Sequence, residues 1–133
     1  MQDGQIILLF DGEGRERETD MVIAAELINS KHIYAMRSKA GGLICVALHP
    51  RIADIFGLPF LTEVLAYAQN KFSALSSLTP NDIPYDEKSA FSLTINHRKT
   101  FTGITDNDRA LTIRELGKLG KKALMNGYQP GEF

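Results

Sequence analysis

The stretch Ile6-Ile7-Leu8-Leu9-Phe10 runs straight into Asp11-Gly12-Glu13-Gly14-Arg15-Glu16-Arg17-Glu18-Thr19-Asp20, and that in turn into Met21-Val22-Ile23-Ala24-Ala25. A short, continuous apolar run rich in branched side chains predicts a strand buried on both faces. The charged segment therefore leaves the core at a strand end, anchored by that strand and free to turn at Gly12 and Gly14. It holds five carboxylates and two guanidinium groups. Charges between two elements usually form nothing more than a solvated loop. Here the interleaving of Arg15 and Arg17 with Glu16 and Glu18 puts cations where they offset carboxylate repulsion or hold an anion. Apolar residues bracket the segment on both sides, which predicts a short crevice-lining loop and favours a divalent-metal or sugar-phosphate site.

Two standard loop motifs fail. A calcium-binding EF-hand loop wants an oxygen ligand at its fifth position and Gly at its sixth, where Arg15 and Glu16 stand. A dinucleotide fingerprint beginning at Gly12-Glu13-Gly14 needs a third glycine at Arg17. The whole chain sets wider limits. Its 133 residues are 44% hydrophobic with a net charge of -1, which suits one domain over 1–133 with a real core. No basic excess is present to bind nucleic acid. No apolar run is long enough to span a bilayer, and Met1-Gln2-Asp3-Gly4 lacks the basic start of a secretory signal, so cytoplasm is the default location. A single cysteine, Cys45, excludes an intrachain disulfide and a cysteine-rich zinc site.

Along the chain, a strand is expected to begin immediately after Asp20. Ser30 caps a helix that stops at Gly41-Gly42. Residues 43–48 read as a second buried strand, and a short helix after His49-Pro50 carries Ile52, Ile55 and Phe56 on one side and stops at Gly57. Helical spacing of Val64, Leu65, Ala68, Phe72 and Leu75 predicts one helix over 62–78, broken by a turn at Thr79-Pro80-Asn81-Asp82. Residues 89–96 alternate as a half-buried strand does. Thr105 and Asp108 resemble a capping box opening a helix with Ala110, Ile113, Leu116 and Leu119 on one face. Alternating strands and helices predict an α+β fold, a mixed β-sheet with helices packed on it.

Several stretches in this order resemble the 3,4-dihydroxy-2-butanone 4-phosphate synthase family, especially its archaeal members. They are Phe10-Asp11 with Arg15-Glu16-Arg17-Glu18-Thr19-Asp20-Met21, then Ala40-Gly41-Gly42-Leu43-Ile44-Cys45, then Gly57-Leu58-Pro59-Phe60. Asn81-Asp82-Ile83-Pro84-Tyr85-Asp86-Glu87-Lys88, Ser92-Leu93-Thr94-Ile95-Asn96-His97-Arg98-Lys99-Thr100 and Thr102-Gly103-Ile104-Thr105-Asp106-Asn107-Asp108-Arg109 complete the pattern.

The resemblance implies conversion of ribulose 5-phosphate to 3,4-dihydroxy-2-butanone 4-phosphate and formate in riboflavin biosynthesis. It implies magnesium, with manganese as the alternative ion, no organic cofactor, and a homodimer with sites near the subunit boundary. Position by position, Glu16 matches the metal-binding glutamate, which also meets substrate, and Arg15 and Asp20 match contacts to the sugar phosphate. Asp11 and Glu18 match acidic residues of the same site and are assigned to proton transfer, with electrostatic support for the metal as their plainer role. Cys45 matches a cysteine facing the site, although a lone cysteine in a strand is commonly core packing. Thr102 matches a hydroxyl contact to substrate in a Thr-Gly loop, or else serves the turn. His49 and His97 read as surface residues rather than ligands, and His32 as solvated. Asp108 and Arg109 read as a cap and a structural ion pair. Family members run on beyond Gln129-Pro130-Gly131-Glu132-Phe133 with a second metal ligand and a further catalytic glutamate. The expectation is thus a fragment of the synthase, inactive alone, or alternatively a shortened, non-catalytic sugar-phosphate or metal-binding relative.

Overall fold

The computed structural model describes residues 3–78 and 84–126. The turn expected at Thr79-Pro80-Asn81-Asp82 and the segment after Asn126 lie outside them. Strand β1 (Ile7–Phe10) pairs antiparallel with β2 (Thr19–Val22), in the register Ile7 to Val22, Leu8 to Met21, Leu9 to Asp20 and Phe10 to Thr19. β2 starts at Thr19, so the acidic segment is a hairpin loop whose last residue, Asp20, already belongs to a strand. β1 is not buried on both faces: Leu8 is 70% exposed and Phe10 54%. Among the described residues only β2 pairs with it, while the helices pack farther along the chain, on Ile23 and Ala25.

Four helices follow: α1 (Ser30–Lys39), α2 (Pro50–Phe56), α3 (Leu61–Ala68) and α4 (Asp106–Asn126). The cap of α1 is Asn29, not Ser30: its Oδ1 accepts the N–H groups of Lys31 and His32, and His32 Nδ1 accepts the Asn29 N–H at 3.2 Å. His32 thus works as a cap instead of standing in solvent. α2 has Pro50 in its first turn, His49 Nδ1 accepting the Arg51 N–H, and Gly57 at φ 64° closing it. Ile52 and Phe56 are half-buried there, while Ile55 turns outward.

The single helix expected over 62–78 breaks after Ala68, and a 3₁₀ turn follows at Ser73–Ser77. Ser76 and Ser77 hydroxyls donate to the carbonyls of Ser73 and Ala74, local bonds that compete with helix continuation.

α4 organises the core. Its face Ala110, Ile113, Leu116, Leu119 and Ala123 is buried, and Ala110 and Ile113 pack with Ile28 and the fully enclosed Ile33 of α1. Enclosing one such side chain contributes about 1.5–3 kcal/mol. Arg37 in the last turn of α1 grips Asp106 in the first turn of α4 through two bonds of 3.1 Å, each charge at the helix end that favours it. The 3₁₀ turn Ala25–Leu27 and α2 lie against α4 where its side chains are smallest. A Cβ on Gly117 would stand 3.0 Å from Ala25 Cβ, and one on Gly120 would stand 3.3 Å from Ile52 Cδ1.

Residues 43–48 and 89–96, expected as strands, join no ladder among the described residues and carry no regular secondary structure. Their alternation survives in part, since Ile44 and Val46 pack on the core cluster while Leu43 is 80% exposed. Residues 89–96 are tied instead to the start of α3, through the Leu61 N–H to the Phe91 carbonyl and the Ser92 hydroxyl to the Pro59 carbonyl. Among the described residues the fold is therefore α+β, with α1 and α2 packed on α4 beside a two-stranded antiparallel sheet in place of the larger mixed sheet that the pattern predicted.

Candidate functional site

The hairpin shapes the acidic loop. Beyond the strands the ladder continues for one more bond, from the Asp11 N–H to the Glu18 carbonyl at 3.2 Å. The Asp11 carboxylate then closes the loop from within: Oδ2 accepts the Glu16 N–H at 2.9 Å and Oδ1 the Glu18 N–H at 3.0 Å. Gly12 at φ 99° allows the chain to leave the strand. Arg17, at φ 57°, is the one non-glycine residue in the left-handed region among the described residues. That conformation costs about 1–2 kcal/mol, and the Arg17 Nε bond to the Glu13 carbonyl helps to hold it. Asp11 and Arg17 thus set the loop's shape, while Arg15 and Glu16 are exposed at adjacent positions of it.

A segment 70 residues away meets those two side chains. Arg15 Nη2 lies 3.7 Å from Asp86 Oδ2, and its guanidinium sits over the Tyr85 ring at 6.0 Å. The neighbouring Glu16 carboxylate, first of all, pushes the Tyr85 pKa up, with burial and the negative charge of Glu18 adding to the effect and Arg15 opposing it. Sequence reading missed both Tyr85 and Asp86. They stand in an unremarkable polar stretch, and only the tertiary fold brings them to the loop.

Thr102 stands in a separate tight structure. Its N–H and those of Phe101 and Gly103 all donate to the Asp108 carboxylate, at 3.0, 3.2 and 2.9 Å, and the Thr102 hydroxyl joins them at 3.3 Å. These donors, led by the Thr102 N–H, hold the Asp108 pKa below its ordinary value against the opposing effect of burial. Gly103, at φ 77°, has no room for a side chain, since a Cβ would collide with Asn96. Half of the expected capping box is present: Thr105 Oγ1 accepts the Asp108 N–H at 3.1 Å. The carboxylate that should have completed the box reaches back to residues 101–103 instead.

His97, expected at the surface, is 6% exposed. Its N–H donates to Thr112 Oγ1, its Nδ1 accepts the Lys99 N–H and its carbonyl accepts from Thr100, so it closes the turn from within. Cys45 is an exposed thiol rather than core packing.

The fold therefore brings Asp11, Arg15, Glu16, Glu18 and Asp20 into one hairpin. No hydrogen bond or ion pair among the described residues joins Cys45 or Thr102 to it. No group of three His, Cys, Asp or Glu side chains among the described residues is placed to hold a metal ion, and Glu16 is exposed. No helix among the described residues is long and apolar enough to cross a membrane.

The chain is similar to known proteins in sequence and in fold. The family model for 3,4-dihydroxy-2-butanone 4-phosphate synthase matches residues 1–132. A protein of that name from Methanothermobacter thermautotrophicus is 57% identical over 116 residues, covering 87% of this chain and 51% of the relative. One from Archaeoglobus fulgidus is 47% identical over 123 residues, covering 92% and 52%. A crystal structure of 3,4-dihydroxy-2-butanone 4-phosphate synthase in complex with two magnesium ions superposes with a TM-score of 0.66 at 28% identity, covering 86% of this chain and 46% of that one. The chain spans about half the length of these relatives.

Proposed function

Given that the chain belongs to the 3,4-dihydroxy-2-butanone 4-phosphate synthase family, we propose that its acidic hairpin loop is the sugar-phosphate and metal-binding part of a site that converts D-ribulose 5-phosphate to L-3,4-dihydroxy-2-butanone 4-phosphate and formate in riboflavin biosynthesis. The observation that carries this reading is that Arg15 and Glu16 are exposed at adjacent positions of a loop whose backbone Asp11 fixes. A planar cation beside a carboxylate suits a phosphorylated sugar held next to a divalent ion.

The donors fit magnesium, which takes one or two carboxylates and fills its remaining positions with water and substrate oxygens. Glu16 would hold it, and manganese suits the same oxygen donors. When bound, the ion stabilises the negative charge that develops beside the substrate carbonyl. Arg15 binds the sugar phosphate, with Asp20 adding a second contact to it from β2. Glu18 is the proton-transfer group with the freer carboxylate, because both Asp11 oxygens already accept backbone N–H groups; Asp11 contributes negative charge and loop shape. Thr102 offers a hydroxyl to substrate from its Asp108-braced turn, and Cys45 borders the site. A homodimer and a cytoplasmic location belong to the same reading. The 133-residue chain alone should turn over little substrate, since no three His, Cys, Asp or Glu side chains among the described residues are grouped to hold a metal ion.

Replacing the matching segment of the Methanothermobacter relative with this chain tests the reading. The chimera should release formate from ribulose 5-phosphate with magnesium, and both a chelator and Glu16→Gln should stop it. A folded chimera that binds ribulose 5-phosphate but releases no formate would establish the binding-module alternative instead.

A further inference from the structure

The backbone groups of β1 alternate in direction. Asp11 donates its N–H to the Glu18 carbonyl, so in this antiparallel register Leu9 and Ile7 meet Asp20 and Val22 as hydrogen-bonded pairs, and the N–H and C=O groups of Leu8 and Phe10 point away from β2. No other strand lies on that side among the described residues. All four β1 side chains are exposed, on both faces of the ribbon. A two-stranded ribbon is marginal in water by itself, and an apolar edge left open is a template for further chain. Burying it under side chains alone would strand the backbone groups of Leu8 and Phe10 without partners, which folded proteins avoid. The edge therefore calls for a strand.

A four-residue edge is too small to hold a separate partner, since stable association of independent chains buries about 1,200–2,000 Å². A segment of the same polypeptide escapes that requirement, because the chain connection keeps it at high effective concentration. The relatives carry such a segment: this chain spans about half of their length. Phe91 and Leu93 show the same want of a neighbour, exposed in a strand-patterned segment that joins no ladder among the described residues. We propose that the outer edge of β1 is a docking seam, where a strand from the half of the relatives' sequence that this chain does not match adds to the hairpin and pairs with Leu8 and Phe10. The seam rests on family membership and on the hairpin register, and it is independent of the chemistry assigned to the acidic loop. Because β1 runs directly into Asp11, it also sets where that second half meets the candidate site.

Amide hydrogen exchange, read residue by residue, tests the seam in the 133-residue chain and in the chimera that joins this chain to the remaining half of the Methanothermobacter relative. In the chain alone, Leu8 and Phe10 should exchange fast, and Leu9, bonded to Asp20, more slowly. In the chimera, Leu8 and Phe10 should slow by about 100-fold, as edge amides do on joining a cooperative unit. Leu8→Pro deletes one outward N–H and spares the bonds to β2, so it should barely move the thermal midpoint of the chain and should lower that of the chimera by several degrees. Leu8 and Phe10 amides that exchange as fast in the chimera as in the chain overturn the proposal, and so does a chimera without a cooperative thermal transition. Protection in the chain alone that grows with its concentration overturns it as well, by giving the edge to a second copy. Formate is read separately: a chimera that protects both amides and releases none upholds the seam while removing the catalytic reading.

Discussion

Replacing Gly117 by Ala should weaken the chain, whereas the same change three residues on, at Gly120, should strengthen it. Both glycines lie inside α4, so both substitutions gain about 1 kcal/mol of helix propensity and restrict the unfolded chain alike. The surroundings differ. A Cβ at Gly117 would stand 3.0 Å from both Ala25 Cβ and the Glu26 backbone nitrogen, against about 3.5–4.0 Å for relaxed carbon contacts. Relief requires the backbone of the turn Ala25–Leu27 to move, and overpacking of this kind costs about 1–3 kcal/mol. Net destabilisation near 1 kcal/mol is expected. At Gly120 the nearest atoms are Ile52 Cδ1 at 3.3 Å and Cγ2 at 3.5 Å, the end of a side chain that can yield by a few tenths of an ångström. Most of the propensity gain should survive there, about 0.5–1 kcal/mol. Urea unfolding followed by far-ultraviolet circular dichroism measures the difference, and at this chain length 1 kcal/mol moves the thermal midpoint by about 3–5 °C. Equal stabilisation by the two substitutions would refute the close approach of the turn to α4.

Ile33→Ala should cost about 2–5 kcal/mol, because Ile33 is fully enclosed between α1 and α4; a loss under 1 kcal/mol in the same unfolding assay would mean that the site is open. Thr62 buries a hydroxyl that has no partner among the described residues, so Thr62→Val should stabilise by about 1 kcal/mol, and a clear loss of stability would reveal a bond to that oxygen. Asp108 has a folded pKa below its ordinary value of 3.8. Its contribution is therefore complete above about pH 4 and is lost as pH falls through the folded pKa. Asp108→Asn should be less stable than the wild type at pH 7, with the gap closing as the solution is acidified; a gap that stays constant down to pH 2 would contradict this.

Local signals in the sequence carried much of the fold. The apolar face of α4 at Ala110, Ile113, Leu116 and Leu119 is buried as its spacing predicts, and Pro50 and Gly57 bracket α2 as a first-turn proline and a left-handed stop should. What failed depends on partners distant in sequence. The alternation in 43–48 and 89–96 is strand-like, but ladders need neighbours, and pattern alone does not supply them. The burial of His97 follows from Thr112 on the facing helix, and nothing beside it in sequence announces that. At the candidate site the same division holds. Carboxylates bracketed by apolar runs made the loop legible, whereas Tyr85 and Asp86 became visible only once the chain had folded back on it.

The hairpin and the contacts of Arg15 with Tyr85 and Asp86 also differ in when they can form. Asp11 reaches its Glu16 and Glu18 partners across five and seven positions, and β-hairpins close within about 1–10 μs. Bringing Asp86 to Arg15 closes a loop of about 70 residues, which by loop-entropy scaling costs about 2 kcal/mol more than closing the hairpin. The acidic loop can therefore take its shape as soon as its own residues are available, independently of the helices. The Arg15 contacts with Tyr85 and Asp86 must await the packing of distant chain, so a weakened core should release them while leaving the hairpin intact.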